Sequence, residues 1–253
     1  MTKISAVIIT LNEERNIERC ILSLQDIADE IIVIDSFSND NTQEICKNYD
    51  VKFFQTKWLG YSDTKNYGNN IASYDYILSV DADEAISEDL KKEILLIKKS
   101  DKIEDAYFMN RLTNYCGSWI HHCGWYPDKK LRLWNKQKGK WEGNIHEEVK
   151  MQADAGISDL KSDLLHYSYY SIQQHINQAN KFTDLTAAEA FKNAKKSSLF
   201  KIIFNPIVKF IKDYFIKLGF LDGYHGFIIC VISSFATFLK YIKLRELYKN
   251  NTF

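Results

Sequence analysis

Short apolar runs alternate with amphipathic stretches over the first eighty residues. Ile4-Ser5-Ala6-Val7-Ile8-Ile9 reads as a buried strand, and residues 30–34, 51–55 and 76–80 as three more. Between them, Ile17, Ile21 and Leu24, with Cys20 on the same face, predict a helix over 16–24. Residues 38–41 predict a turn leading into a helix over 42–49, and a further helix is expected over 63–72. This alternation predicts an α/β fold with a mostly parallel central sheet and helices on both faces. Ligands of such sheets gather beyond the C-terminal ends of the strands. That rule brings Thr10, Asp35 and Asp81 towards one rim, although they are far apart in sequence.

Further on, the pattern predicts a helix from Glu88 to about Lys99, strands over 106–112 and 132–134, and a turn over 136–140. Residues 141–148 read as an active-site segment rather than a regular element, and 172–193 as a helix. From there the chain turns aromatic and basic. Phe200, Ile203, Phe204, Ile207, Phe210, Ile211, Tyr214, Phe215 and Leu218 recur near helical spacing, with Lys201, Lys209, Lys212 and Lys217 between them. Pro206 is expected to end or kink that helix. The division expected is a catalytic domain over 1–191 and a helical extension over 192–253.

Composition adds limits. The chain has 253 residues, 45% hydrophobic and 26% charged, enough for a sizeable core and unlike a disordered chain. Formal net charge is zero, yet residues 192–249 hold 11 Lys and Arg against 3 Asp and Glu. The remainder is therefore acidic, which argues against a nucleic-acid partner. The basic end suits an anionic membrane surface, with lysines near headgroups. Packing on the catalytic domain or on a second subunit of a homo-oligomer is the other reading, and both stay open. Residues 226–239 are the longest uncharged stretch, and these 14 fall short of a normal membrane span. No signal peptide is expected from the opening residues. Cys20, Cys46, Cys116, Cys123 and Cys230 match neither a disulfide scaffold nor a strong zinc pattern, so free thiols in a reducing compartment are expected. A zinc site from Cys116, Cys123, His121 and His122 is the weaker alternative.

The candidate chemistry centres on Asp81-Ala82-Asp83-Glu84, just after an apolar strand. Two carboxylates one residue apart can hold Mg2+ or Mn2+ and, through it, a diphosphate. Solvated loop acids are the bland alternative. Asp35 ends another strand and can accept hydrogen bonds from a base or ribose. Thr10, Glu13 and Asp40 lie in the same set of loops, although Asp40 equally suits helix capping. Lys65 can approach the diphosphate from a helix, and Arg132 offers a fork for phosphate or carboxylate. A second cluster, residues 141–147, contains His146, which can ligate metal, and Glu147, which can accept a proton from a hydroxyl. Trp119, Trp125, Trp134 and Trp141 suit sugar rings or a core, and His166, His175 and His225 suit surface or core roles. A Gly-x-Gly-x-x-Gly after the first strand is missing, which disfavours an ordinary dinucleotide-binding domain.

These segments resemble glycosyltransferase family 2. The residues that carry the likeness are Val7-Ile8-Ile9-Thr10-Leu11-Asn12-Glu13-Glu14, Val33-Ile34-Asp35-Ser36, Lys65-Asn66-Tyr67-Gly68 and Leu78-Ser79-Val80-Asp81-Ala82-Asp83-Glu84. Further on, Gly124-Trp125-Tyr126-Pro127-Asp128, Lys130-Leu131-Arg132-Leu133-Trp134 and Asn144-Ile145-His146-Glu147 are similar to the branch that adds glucose to heptose in lipopolysaccharide inner core through β-1,4 linkages. The resemblance implies a GT-A-like fold and a metal-dependent, inverting hexosyltransferase that uses a nucleotide sugar, with UDP-glucose favoured. It implies a lipid-linked, heptose-containing acceptor and an enzyme peripheral on the cytoplasmic face of the bacterial inner membrane. By the same resemblance Glu13, Asp35 and Asp40 approach the nucleoside. Asp81 and Asp83 approach the cation and diphosphate, His146 supports metal or phosphate, and Glu147 is the base. Glu84 is the alternative base or a donor-sugar contact. Other donors and acceptors within the family, a sugar nucleotidyltransferase, and a non-catalytic carbohydrate-binding scaffold are the competing readings.

Overall fold

The computed structural model describes residues 1–143 and 147–250. In chain order the elements are β1 Ile4–Thr10, α1 Ile17–Leu24, β2 Glu30–Asp35, α2 Thr42–Cys46, β3 Lys52–Gln55, α3 Tyr61–Ile71, β4 Tyr76–Asp81, β5 Glu84–Ile86 and α4 Glu88–Lys99. They continue with β6 Ala106–Tyr115, β7 Ser118–Ile120, β8 Asp128–Asn135, β9 Gly139–Glu142, β10 Glu148–Met151, β11 Ile157–Tyr169, α5 Ile172–Lys192, α6 Leu199–Ile211 and α7 Gly223–Asn250. A π-helical turn, Lys212–Ile216, and a 3-10 turn, Gly219–Asp222, join α6 to α7.

The α/β expectation holds: a central sheet is flanked by helices and followed by a helical C-terminal region. Among the described residues the sheet order is β3-β2-β1-β4-β8-β6-β11-β5, with β7 beside β6. Strands β3, β2, β1 and β4 are mutually parallel, whereas β8 runs antiparallel to β4 and β6, and β5 antiparallel to β11. The mostly parallel expectation is therefore corrected to a mixed sheet. A parallel neighbour needs a crossover, usually helical. Helices separate the first four strands, but none of the described elements between α4 and α5 is helical. The 13-residue β11 escaped the sequence reading because it is half-exposed and irregularly patterned, with Leu160 and Leu164 as its buried residues. The hairpin of β9 and β10 also replaces part of the segment read as irregular.

Two compact units are present. One comprises Met1–Arg111 with Asp128–Tyr167, the other Leu112–Pro127 with the chain from Ser168 onward. This boundary differs from the one expected at residue 191, because α5 packs along α7 and so belongs with the C-terminal helices.

In the first unit every residue of β1 and β2 is buried, as expected for strands covered on both faces. Ile4, Ile8, Val33, Leu78 and Val80 pack with Ile17, Cys20, Ile21 and Leu24 of α1 and with Leu90 and Ile94 of α4. Val7, Ile9, Ile32, Ile34 and Ile77 form the other core face, with Trp134 and Trp141. Two of the four weighed tryptophans are thus core residues. Helix α3 lies close to the strands because Gly68 lacks a side chain: a Cβ there meets Val7 Cγ1 at 2.5 Å and Ile34 Cγ1 at 3.0 Å.

In the second unit the first half of α7 pairs with α6 and the second half with α5. Ser234 donates to the Pro206 carbonyl at 2.8 Å, and Phe210 meets Phe227 with ring centroids 6.1 Å apart. Farther along α7, Leu244 packs with Ala187 and Ala190, and Lys243 pairs with Asp184 at 2.6 Å. Pro206 lies inside α6 rather than ending it.

We expect Gly68→Ala to destabilise the first unit by about 1–3 kcal/mol, since the added methyl must displace two packed β-branched side chains. Chemical denaturation followed by tryptophan fluorescence measures this.

Candidate active site

Strand register assembles the rim. Thr10 lies opposite Asp35 across β1 and β2, and Ile9 opposite Asp81 across β1 and β4. Beyond these strand ends is a cavity of about 630 Å³. Thr10, Glu13, Asp81 and Asp83 line it together with His166, and Trp58 and Tyr61 form an aromatic part of its wall. Four of the sequence candidates therefore share one cavity, and His166 joins them from β11.

Asp81 is the most heavily held acid. The Lys65 ammonium of α3 lies 3.0 Å from Oδ1, at an angle that makes a charge contact without an aligned hydrogen bond. On the other side Arg132 Nη2 of β8 donates to Oδ2 at 2.9 Å. Burial by itself pushes the Asp81 carboxyl up, but the charges of Arg132 and Lys65 outweigh it and hold the group far below the usual carboxylate range. Both cations are buried, and both lie over the Trp141 ring, at 4.4 Å for Lys65 and 5.7 Å for Arg132. Lys65 also reaches Glu147 Oε1 at 3.4 Å. One ammonium thus links the carboxylate of the strand-end motif to the expected base.

Asp83 and Glu84 part company. The Asp83 carboxylate faces His166, with Oδ2 3.3 Å from Nε2, and its backbone carbonyl accepts from Tyr167 N–H at 2.8 Å. Glu84 instead points inward, its side chain fully buried. It accepts from the Asp81 backbone N–H at 3.0 Å and from Arg132 Nη2 at 2.7 Å, with Arg111 Nη1 at 3.4 Å. It lies beneath the motif, where it answers the charges of the buried Arg132 and the half-buried Arg111.

The upstream acids divide in the same way. Asp35 is buried, accepting from Ser38 N–H and Oγ–H and from Gln55 Nε2 at 3.0 Å. Asp40 accepts from the Glu14 and Thr42 backbone N–H groups and from the Thr42 hydroxyl, one residue ahead of Asn41, the N-cap of α2. Glu13 remains at the cavity. Burial pushes its carboxyl up, the Asn16 amide partly offsets this, and the negative charges of Asp83 and Asp40 add to the rise.

His146, expected in the metal set, lies outside the described residues. His166, expected in a surface or core role, is the histidine beside Asp83. Only β11 brings it there, through the register His166–Glu84, and no local pattern announced that strand. Among the described residues no group of three or more His, Cys, Asp and Glu side chains forms a metal cluster. Asp83 and His166 supply one oxygen and one nitrogen donor on the cavity wall. The zinc alternative fares differently: His122 Nδ1 lies 2.9 Å from Asp222, and Cys123 donates to the same carboxylate.

Residues 5–147 match the family described as Glycosyl transferase family 2. The chain belongs to that family. It is 36% identical to an uncharacterized glycosyltransferase of Rickettsia typhi, over 98% of this chain and 88% of that one. It is 29% identical to the lipopolysaccharide core biosynthesis glycosyltransferase LpsC of Rhizobium meliloti, over 96% of this chain and 92% of that one. Residues 1–349 of S. aureus TarS align at 16% identity with a TM-score of 0.47, over 100% of this chain and 93% of that one.

Replacing Arg132 with leucine strips the buried Glu84, and the half-buried Asp81, of a shared counter-charge and is expected to cost about 3–5 kcal/mol of stability. Asp81 has its folded value below the ordinary 3.8, so its ionisation stabilises the fold above that value. That contribution falls away as the pH drops below about 4. Stability measured against pH should lose this acid limb in Asp81→Asn.

Proposed function

We propose that the protein is an inverting hexosyltransferase with a GT-A-like fold. Its donor is a nucleotide diphosphate sugar, UDP-glucose by preference, and its acceptor a heptose of a lipid-linked lipopolysaccharide core. The observation that carries this reading is the cavity at the β1 and β4 strand ends, where Asp83 and His166 face each other beside a neutralised Asp81. Family membership supports glycosyl transfer, and the likeness to LpsC supports the lipopolysaccharide-core acceptor.

In this reading Asp83 and His166 hold Mg2+ or Mn2+, which when bound offsets the charge of the diphosphate. The chain's own residues do the rest. Glu13 and Thr10 meet the nucleoside side of the donor, and Trp58 and Tyr61 give it an apolar wall. Asp81, already balanced by Lys65 and Arg132, adds little net charge against the incoming diphosphate. Glu147 accepts the proton of the acceptor hydroxyl as that oxygen attacks the anomeric carbon from the face opposite the leaving diphosphate. The C–O bond to the diphosphate breaks as the new glycosidic bond forms, so an α-linked donor gives a β-linked product. Holding both substrates in line supplies much of the rate advantage.

Asp83→Asn and His166→Ala should each lower transfer by about a hundredfold or more while the fold persists. Both should also weaken Mn2+ binding in the presence of UDP, read by titration calorimetry. Product mass spectrometry on a truncated heptose-containing core should show one added hexose and released UDP. Pyrophosphate release would instead support a nucleotidyltransferase, and unimpaired turnover in Glu147→Gln would remove that residue as the base.

A further inference from the structure

The helical hairpin of the second unit carries an apolar surface that nothing in the catalytic reading uses. Phe200, Ile203, Phe204, Ile207, Ile211 and Phe215 form one continuous stripe, each between 46% and 65% exposed. Ile216, 72% exposed, and Leu221, 57%, lie in the turns that follow, and Phe227 and Phe235 are exposed on the first half of α7, with Phe227 against Phe210 of α6. Contiguous apolar surface of this extent marks a contact with a partner or a membrane.

Charge decides between these. Residues 192–239 contain seven lysines and two aspartates. Both aspartates are turned inside. Asp213 is 2% exposed and pairs with Lys209 at 2.7 Å and with Lys217 at 3.4 Å. The Asp222 side chain is 5% exposed and binds the His121 and His122 backbone N–H groups. Lys192, Lys195, Lys196, Lys201 and Lys212 remain exposed. The field around the stripe is therefore positive, with both acids buried. Lys209 and Lys217, read from sequence as headgroup lysines, are instead ion-paired at the base of the hairpin.

Helix α7 also bears on how deep such a contact goes. By length and composition alone, the helix Gly219–Asn250 can cross a membrane, contrary to the expectation from its 14-residue uncharged core. Its second half, however, is packed on α5, a helix with Gln173, Gln174, Asn177, Asn180, Lys181 and Asp184 on its surface. It also carries Lys240, Lys243, Arg245, Glu246 and Lys249. A bilayer core does not accept that polar partner.

We infer that α6, the turns after it and the first half of α7 lie in one leaflet of an anionic bilayer, apolar stripe in the acyl boundary and exposed lysines among the headgroups, without spanning it. A basic amphipathic surface with large apolar side chains has this binding mode. The inference stands apart from the catalytic reading, because lipid binding needs no turnover.

Flotation of the full chain with vesicles tests it. Phosphatidylcholine vesicles containing phosphatidylglycerol should carry the protein up, and pure phosphatidylcholine vesicles should carry markedly less. Ile207→Asp with Phe215→Asp should lower the bound fraction by about tenfold or more, and Lys201→Glu with Lys212→Glu should lower it on anionic vesicles only. All four residues are exposed, and circular dichroism with melting curves checks that the variants fold. Alkaline carbonate should strip the bound protein. Equal flotation of wild type and both variants overturns the inference, as does carbonate resistance. Dissociation of a lipid-free oligomer by the Ile207 and Phe215 changes, without any lipid binding by the wild type, assigns the stripe to a second copy and overturns it as well.

Discussion

A half-buried carboxylate at a strand end, set against buried cations, needs its charge answered on the spot. Asp81 is answered twice, by Lys65 from α3 and by Arg132 from β8. Taking such groups out of water is costly, and their mutual attraction offsets that cost only when every partner is present. The cluster therefore ties three elements of the first unit to one point. Trp141 completes it, presenting its ring to both cations and excluding water from them. Glu84 closes it from below by accepting from the Asp81 backbone N–H and from Arg132. With those groups fixed, Asp83 is left facing the cavity, where its partner is His166.

This gives the acidic motif a division of labour that its spacing hides. Asp81 and Glu84 are tied to buried cations, whereas Asp83 opens to the cavity. An acidic rim would repel a nucleotide diphosphate if its charges were all unmatched. Lys65 and Arg132 answer the charge of Asp81, which lessens that repulsion at the strand end. Lys65 has a second consequence. Its contact with Glu147 couples the position of the expected base to the strand-end carboxylate.

The second unit follows different physics. Its helices bury one side against each other and leave a broad apolar face uncovered. The acids that would make this surface neutral are folded inward, Asp213 under two lysines and Asp222 against backbone N–H groups. On the proposed reading of a lipid-linked acceptor, confinement to the leaflet raises the local concentration of that acceptor.

The local features were legible in the sequence. Unbroken apolar runs fixed the buried strands β1, β2 and β4, and the acids just after them marked the rim, because strand period and strand-end position are properties of a few consecutive residues. Gly68 was visible as part of a motif, although its reason, close approach to Val7 and Ile34, was not. Tertiary structure decided what those acids do. Asp81, Asp83 and Glu84 look alike in sequence, yet one lies between buried cations, one opens to the cavity and one is buried beneath. His166 became a site residue, and Lys209 and Lys217 ceased to be free charges, through partners that packing brought to them. Side-chain direction and charge pairing depend on register between strands and on packing between helices. A single run of residues carries the period of its own backbone but not the identity of the residue that register will set opposite it.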